Sequence, residues 1–347
     1  MIRTAGAGSG PIFILGITQR AGTHFVYDAL LLHDDVAPTL VPDEPWLPSW
    51  EDHLLSESEH LAGYVERVRG RWNLADARNE ETASRLWAAI GAGISSFLSE
   101  LSLASGGSSH QRPVTKTPTL ENLGLIDRLF PSSPVVVVVR DPRAVLVSSM
   151  ASFGGTPERW IRHWKRMAAT LVEFMDRHPD RLTVVRYEEL FLDATEVMKQ
   201  VLTDLELDPG RYAFDRLQQL PVRGSSELRA SGMGGWSPVP RPAGFDPADR
   251  GRLLDAGVAE RLQWLLEPEL GLLGYAGEAR PRTVRGAAYQ RVLDARWSIG
   301  RFGRRALDRV RGDALIGGRR TPAKGPPAQP AAVMVNGSGR GAVGSAR

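Results

Sequence analysis

Short apolar runs alternate with segments of helical period from residue 11 to about residue 276. PIFIL (11–15) has no polar alternation, the pattern of a strand covered on both faces, and a helical pattern follows at 23–32. PVTK (113–116) precedes TLENLGLIDRLF (119–130), a strand and then a helix. PVVVVV (134–139) is β-branched and leads into a helix at about 142–151, and LTVVRY (182–187) leads into another at 193–206. This alternation predicts an α/β fold, a three-layer sandwich with a central parallel sheet flanked by helices.

Other segments break the rhythm. A long, mostly helical insertion occupies about 51–104 and ends in ASGGSSHQ, which reads as a mobile loop. Residues 222–245 are Gly, Ser, Pro and Arg with little periodicity, the mark of a functional or disordered loop. An Asp-capped, Leu-spaced helical segment then runs through 246–275 and closes at Gly274-Tyr275. Trp160 and Trp164, four apart on a helix, suit packing. Residues 284–311 predict an amphipathic helix with Val292, Leu293, Phe302, Ala306, Leu307 and Val310 near one face and Arg on the others. The organisation expected is a disordered lead at 1–10, one domain at 11–276, a basic helical extension at 277–316 and a disordered tail at 317–347.

Composition sharpens this picture at three points. The chain has 347 residues, 42% hydrophobic and 24% charged, as a soluble globular protein has. No run of about 18 apolar residues marks a membrane span, and the first residues lack the apolar core of a secretory signal. Cysteine is absent, which excludes disulfides and thiolate metal sites and suits a reducing, cytoplasmic location. Charge is unevenly placed: residues 281–347 hold 14 Arg and Lys against three Asp, and their +11 leaves −8 on residues 1–280 of a chain whose net charge is +3. The basic character belongs to the C-terminal extension, so it does not point to nucleic-acid binding by the main body.

The candidate chemistry begins at ILGITQRAGTHFVYDAL (14–30). Gly16, Arg20, Gly22 and Thr23 lie between a strand and a helix start. Such a segment is either a tight turn or an anion site, because a helix N-terminus offers N–H donors and partial positive charge. Thr23 can cap the helix, and Arg20 offers a fork matched to phosphate or sulfate oxygens. The Walker spacing fails: counted from Gly16, its second Gly falls on Ala21 and its Lys on Gly22. A second constellation is VVVVVRDPRAVLVSSM, with Arg140 at a strand end and Ser148 two helical turns on. Pro142 suits the first helical turn.

Together these segments resemble the sulfotransferases that use 3′-phosphoadenosine-5′-phosphosulfate (PAPS). ILGITQRAGT looks like their 5′-phosphosulfate loop and RDPRAVLVSS like their 3′-phosphate motif, in the same order and about 120 residues apart. RYEEL (186–190) resembles a further family segment, and RGSS (223–226), leading to Trp236, resembles the loop that closes over the nucleotide. The resemblance spans about 11–276 and implies a P-loop-like nucleotide-binding core with PAPS as co-substrate and no metal. It implies that Arg20, Ala21, Gly22, Thr23 and His24 bind the 5′ side. Arg140, Ser148, Tyr187, Arg223, Gly224 and Ser225 would bind the rest of the nucleotide. One departure stands out: the family places a second hydroxyl residue where this chain has His24, which can donate one hydrogen bond or line the acceptor side.

The resemblance also implies transfer of a sulfuryl group to a hydroxyl on a carbohydrate, glycolipid, peptide or secondary metabolite, with a general base. The Lys-Thr-His arrangement of one family branch is missing, since TKTP puts Pro118 in that place. In the other branch a Glu after the first helix serves. Here LVPDEPWLPSW offers Glu44, with Asp43 beside it, among Pro, Trp46 and Trp50. Lys116 can reach the sulfuryl group or the bridging oxygen. Two other readings are open: a P-loop small-molecule kinase, with Asp141 as the Mg²⁺ carboxylate, and a non-catalytic peripheral membrane protein acting through its basic tail. Residues 284–311 pair arginines with apolar side chains, a composition that suits either an anionic membrane or packing on the acidic body.

Overall fold

The computed structural model describes residues 10–39, 67, 78–221, 223, 246–247, 249–276 and 283–315. Its centre is a five-stranded sheet, β1 (Ile12–Gly16), β2 (Val36–Pro38), β3 (Arg112–Thr117), β4 (Val135–Val139) and β5 (Leu182–Arg186), in the order β2-β3-β1-β4-β5. Every pairing is parallel; Phe13 lies opposite Thr115 on one side and Val135 on the other. β1 and β4 are buried at every position, which explains why their sequences carry no polar alternation.

Helices account for that burial. They are α1 (Thr23–Leu30), α2 (Arg78–Ala104), α3 (Leu123–Leu129), α4 (Pro142–Phe153), α5 (Pro157–Arg177), α6 (Tyr187–Leu192) and α7 (Ala194–Asp204). After them come α8 (Phe214–Leu217), α9 (Asp249–Arg252), α10 (Ala256–Leu272) and α11 (Val284–Leu315). Phe13 packs on Phe130, at the end of α3, with ring centroids 4.6 Å apart, so α3 covers one face of β1. α10 docks on α5 through Arg261, whose guanidinium holds Glu158 at 2.7 and 2.9 Å. Trp164 of α5 is 1% exposed, and truncating such a side chain to Ala costs about 3–5 kcal/mol.

The architecture is the expected one, with local differences. β2 has only three residues and no apolar run to announce it. It is an edge strand paired to β3 alone, where its Pro38 is tolerated. Residues 104–111 form a hydrogen-bonded turn: Gly107 N–H donates to Ser102 O at 2.9 Å, and Gln111 Nε2 to Asp34 O at 2.8 Å. The window Trp87–Ala104 within α2 is, by length and composition, apolar enough to cross a membrane, with 17% of it buried. Its Ile, Leu, Phe and Ala positions carry the average, while Gly, Ser and Glu100 break the apolar run. The chain divides into two compact units, residues 1–280 and 281–347; the second contains α11.

Connections leaving β1 and β4 set the site. β1 and β4 are neighbours, yet the chain after β1 travels to the β2–β3 side and the chain after β4 travels to β5. Two loops therefore part from each other above the carboxyl ends of adjacent strands, the place where open α/β sheets bind ligands.

Candidate active site

The loop after β1 turns through two left-handed residues, Arg20 (φ 73°) and Gly22 (φ 104°). Gly22 is the residue that caps α1, and Thr23, expected as the cap, is instead the first helical residue. A side chain at Gly22 would sit 2.4 Å from the Tyr187 ring, so glycine is required there by both backbone and contact. Arg20 has no such excuse. A non-glycine residue in this region costs of order 1–3 kcal/mol and collects at functional sites.

Arg140 follows β4 and is 7% exposed. Its NH1 donates to the Arg20 carbonyl at 3.2 Å and its NH2 to the Pro247 carbonyl at 3.3 Å, while Nε has no partner. Its guanidinium carbon lies 4.7 Å from the Tyr187 ring centroid. Among the described residues no carboxylate forms an ion pair with it. Burial pushes the guanidinium below its usual pKa range, opposed by Tyr187, Glu188 and Asp141 and reinforced by Arg250. The nearby Glu188 is engaged elsewhere, accepting from Asp141 N–H at 3.0 Å and Tyr275 OH at 2.8 Å. A cation buried without an ion-pair partner costs several kcal/mol. That cost falls when an anion arrives.

Ser148 of α4 is 1% exposed, and two cations meet at its hydroxyl: Arg20 Nε donates at 3.0 Å and Arg250 NH1 at 3.4 Å. The two segments therefore meet: Arg20 accepts from Arg140 through its carbonyl and donates to Ser148 through its guanidinium, where Arg250 also arrives. Asp141 is committed to capping α4, accepting from Arg143 N–H at 2.7 Å.

On the other flank, Lys116 of β3 lies with Nζ 3.1 Å from His24 Nε2. Lysine has only donors, so His24 Nε2 accepts and the ring proton sits on Nδ1. Burial first, then Lys116, Arg223 and Arg20, lower the His24 pKa to about 3. The imidazole is thus neutral and its facing lone pair is engaged by Lys116. One helical turn on, Asp28 accepts from Arg223 Nε at 2.8 Å, and burial raises the pKa of this carboxyl against the pull of Arg223.

The structure thus brings together Arg20, Ala21, Gly22, Thr23, Arg140, Ser148 and Tyr187, and places His24 with Lys116 beside them. Arg223 meets Asp28 on α1. Glu44, Gly224 and Ser225, with Asp43, Trp46, Trp50 and Trp236, lie outside the described residues. Two participants escaped the sequence reading. Asp28 carried a usable signal, the four-residue spacing from His24 on an expected helix. Arg250 carried none; it reaches Ser148 because α9 packs on the start of α4, where a Cβ on Gly251 would lie 3.1 Å from the Arg143 Cβ.

A model of the sulfotransferase family matches residues 11–209. No curated protein matches the chain in sequence. Solved structures similar to it include the sulfotransferase domain of the Synechococcus PCC 7002 olefin synthase, 18% identical over 80% of this chain and 98% of that one, TM-score 0.49. A Mycobacterium avium sulfotransferase is 14% identical over 79% of each chain, TM-score 0.44. A mouse sulfotransferase complexed with PAP is 12% identical over 77% of this chain and 89% of that one, TM-score 0.40.

Proposed function

The chain belongs to the sulfotransferase family, and from that premise we propose that it transfers a sulfuryl group from PAPS to a hydroxyl acceptor. The observation that carries this reading is Arg140: a buried guanidinium with an unpartnered Nε, no carboxylate ion pair among the described residues, and a contact to Arg20, which meets Arg250 at Ser148. Clustered cations beside a buried hydroxyl suit a phosphate with two negative charges. Arg140, Ser148 and Arg250 hold the 3′-phosphate in this reading. The Arg20 fork and the N-terminus of α1 face the 5′ side.

The acceptor oxygen forms a bond to sulfur as the bond from sulfur to the 5′-phosphate oxygen breaks. Negative charge gathers on the departing phosphate, and preorganised cations stabilise it. Lys116 is aimed by His24, which holds its ammonium at 3.1 Å. The hydroxyl proton passes to a carboxylate, for which Glu44 is the proposed base. Glu44→Gln keeps the shape and removes the base, so it lowers turnover about 10²–10⁴-fold with nucleotide affinity unchanged. Small-molecule and glycan hydroxyls are the acceptor class, and the reducing cytoplasm is the proposed location.

Thermal denaturation with adenosine 3′,5′-bisphosphate tests the reading. At 100 times its dissociation constant the ligand adds about 2.7 kcal/mol of stability. No shift at saturation overturns the assignment, and a shift with Mg²⁺-ATP alone transfers the site to phosphoryl chemistry.

A further inference from the structure

We propose that α11 is an interfacial helix that lays an exposed apolar stripe on an anionic lipid surface. Val284, Ala288, Val292, Ala295 and Ile299 recur at helical spacing and fall on one stripe of the cylinder. All five are exposed, and the three large ones strongly so: Val284 88%, Val292 63% and Ile299 72%. Gln290 is 2% exposed, whereas every residue of the aliphatic row is exposed.

The rim of the stripe names the partner. Arg285 and Arg296 flank it on one side and Arg291 on the other, all exposed, and Tyr289 at 60% exposure stands beyond Arg285. Within Val284–Ile299 no acid lies on this exposed face; Asp294 falls off the stripe and is half-buried. Arginine stems can lie along acyl chains while their heads reach lipid phosphates. Tyrosine suits the same boundary, with one end apolar and the other wet. The segment 281–347 carries +11, the charge complement of an anionic leaflet. A shallow aliphatic row edged by cations fits the plane of a membrane surface. It does not depend on the sulfotransferase reading.

Sedimentation of the full chain with vesicles tests this, using phosphatidylcholine alone and an equimolar mixture with phosphatidylserine. The expected result is binding to the mixed vesicles only, with release at high salt. V284S/V292S/I299S removes the stripe without altering charge, and R285Q/R291Q/R296Q removes the rim without altering the stripe. Each lowers partitioning at least tenfold, while circular dichroism and the melting temperature stay unchanged. If the full chain stays in the supernatant, the proposal fails. It fails too if both variants sediment like the parent, since binding then comes from cations elsewhere in the chain. Binding to polyglutamate that both variants lose, without vesicle binding, would assign the stripe to an acidic protein partner instead.

Discussion

Arg20 Nε donates to Ser148 Oγ at 3.0 Å, joining the loop after β1 to the middle of α4 across 128 residues of sequence. The bond makes two separate-looking motifs one object. Arg20→Ala and Ser148→Ala should each weaken binding of adenosine 3′,5′-bisphosphate, and the double variant should lose less than the sum. The coupling expected for groups in contact is about 0.5–3 kcal/mol. Calorimetric titration of the four proteins measures it. Additive losses would mean that the contact does not couple the 5′ and 3′ sides of the site.

Arg140 should have opposite effects on the free and the bound protein. Arg140→Met keeps much of the volume and removes a buried cation, so the unliganded protein should melt at the same or a higher temperature. Nucleotide binding should weaken by about 1.5–3 kcal/mol, the scale of a charge-assisted hydrogen bond. The loss should be much smaller for a nucleotide without the 3′-phosphate. Arg250→Ala should show the same selectivity with a smaller loss, because its 3.4 Å contact to Ser148 is looser. Equal losses with both nucleotides would make these arginines structural.

How much of this was legible in the chain follows from how local each signal is. The strands β1, β3 and β4 are runs of buried residues, β5 is a short apolar LTVV run, and all four announce themselves. β2 has three residues, one of them Pro38, and exists because Arg112–Val114 supply a paired edge. Arg140 and Ser148 could be placed two turns apart because a helix fixes that distance. Their meeting with Arg20 followed from sheet order, which strand–helix alternation and strand-end rules anticipate. Arg250 could not be placed, because its position depends on the close packing of Gly251 against Arg143. Arg223 was expected at the nucleotide from its resemblance to a closing loop. The structure shows its ion pair with Asp28, a partner that no sequence spacing connects to it.

His24 should be visible in acid stability. Its folded pKa of about 3 lies below the ordinary 6.5. Between those values the unfolded chain binds more protons, so stability falls as pH drops from about 6.5 toward 3. The slope approaches 1.4 kcal/mol per pH unit. His24→Gln cannot titrate and can still accept from Lys116. Between pH 6.5 and 5 it should lose about 2 kcal/mol less than the parent in urea unfolding. Parallel curves would show that the imidazole is protonated in the folded protein.

Gly22→Ala should damage the loop by two separable routes. The backbone at φ 104° disfavours any side chain, and the new methyl would meet the Tyr187 ring at 2.4 Å. The backbone part alone costs about 1–3 kcal/mol. Removing the ring with Tyr187→Ala in the same chain should return the steric part and leave the backbone part. Stability measured by chemical denaturation, set against the Tyr187→Ala single variant, separates them. A double variant that loses as much as the sum of the two singles would remove Tyr187 from the account of the loop.

The position of Tyr187 also sets a timetable for synthesis. The ring that presses on Gly22 and stacks under Arg140 belongs to the residue after β5, the last strand of the sheet to be made. The carbonyl that holds Arg140 NH2 comes later still, at Pro247. A nascent chain thus carries both anion motifs outside the ribosome long before either has its support. Domains fold as units during synthesis, and contacts between distant residues form late. The cations should therefore gather into a binding site only near the end of translation. Ribosome-bound chains stalled before Tyr187 should gain no protease protection from adenosine 3′,5′-bisphosphate, and chains extending past α10 should gain it.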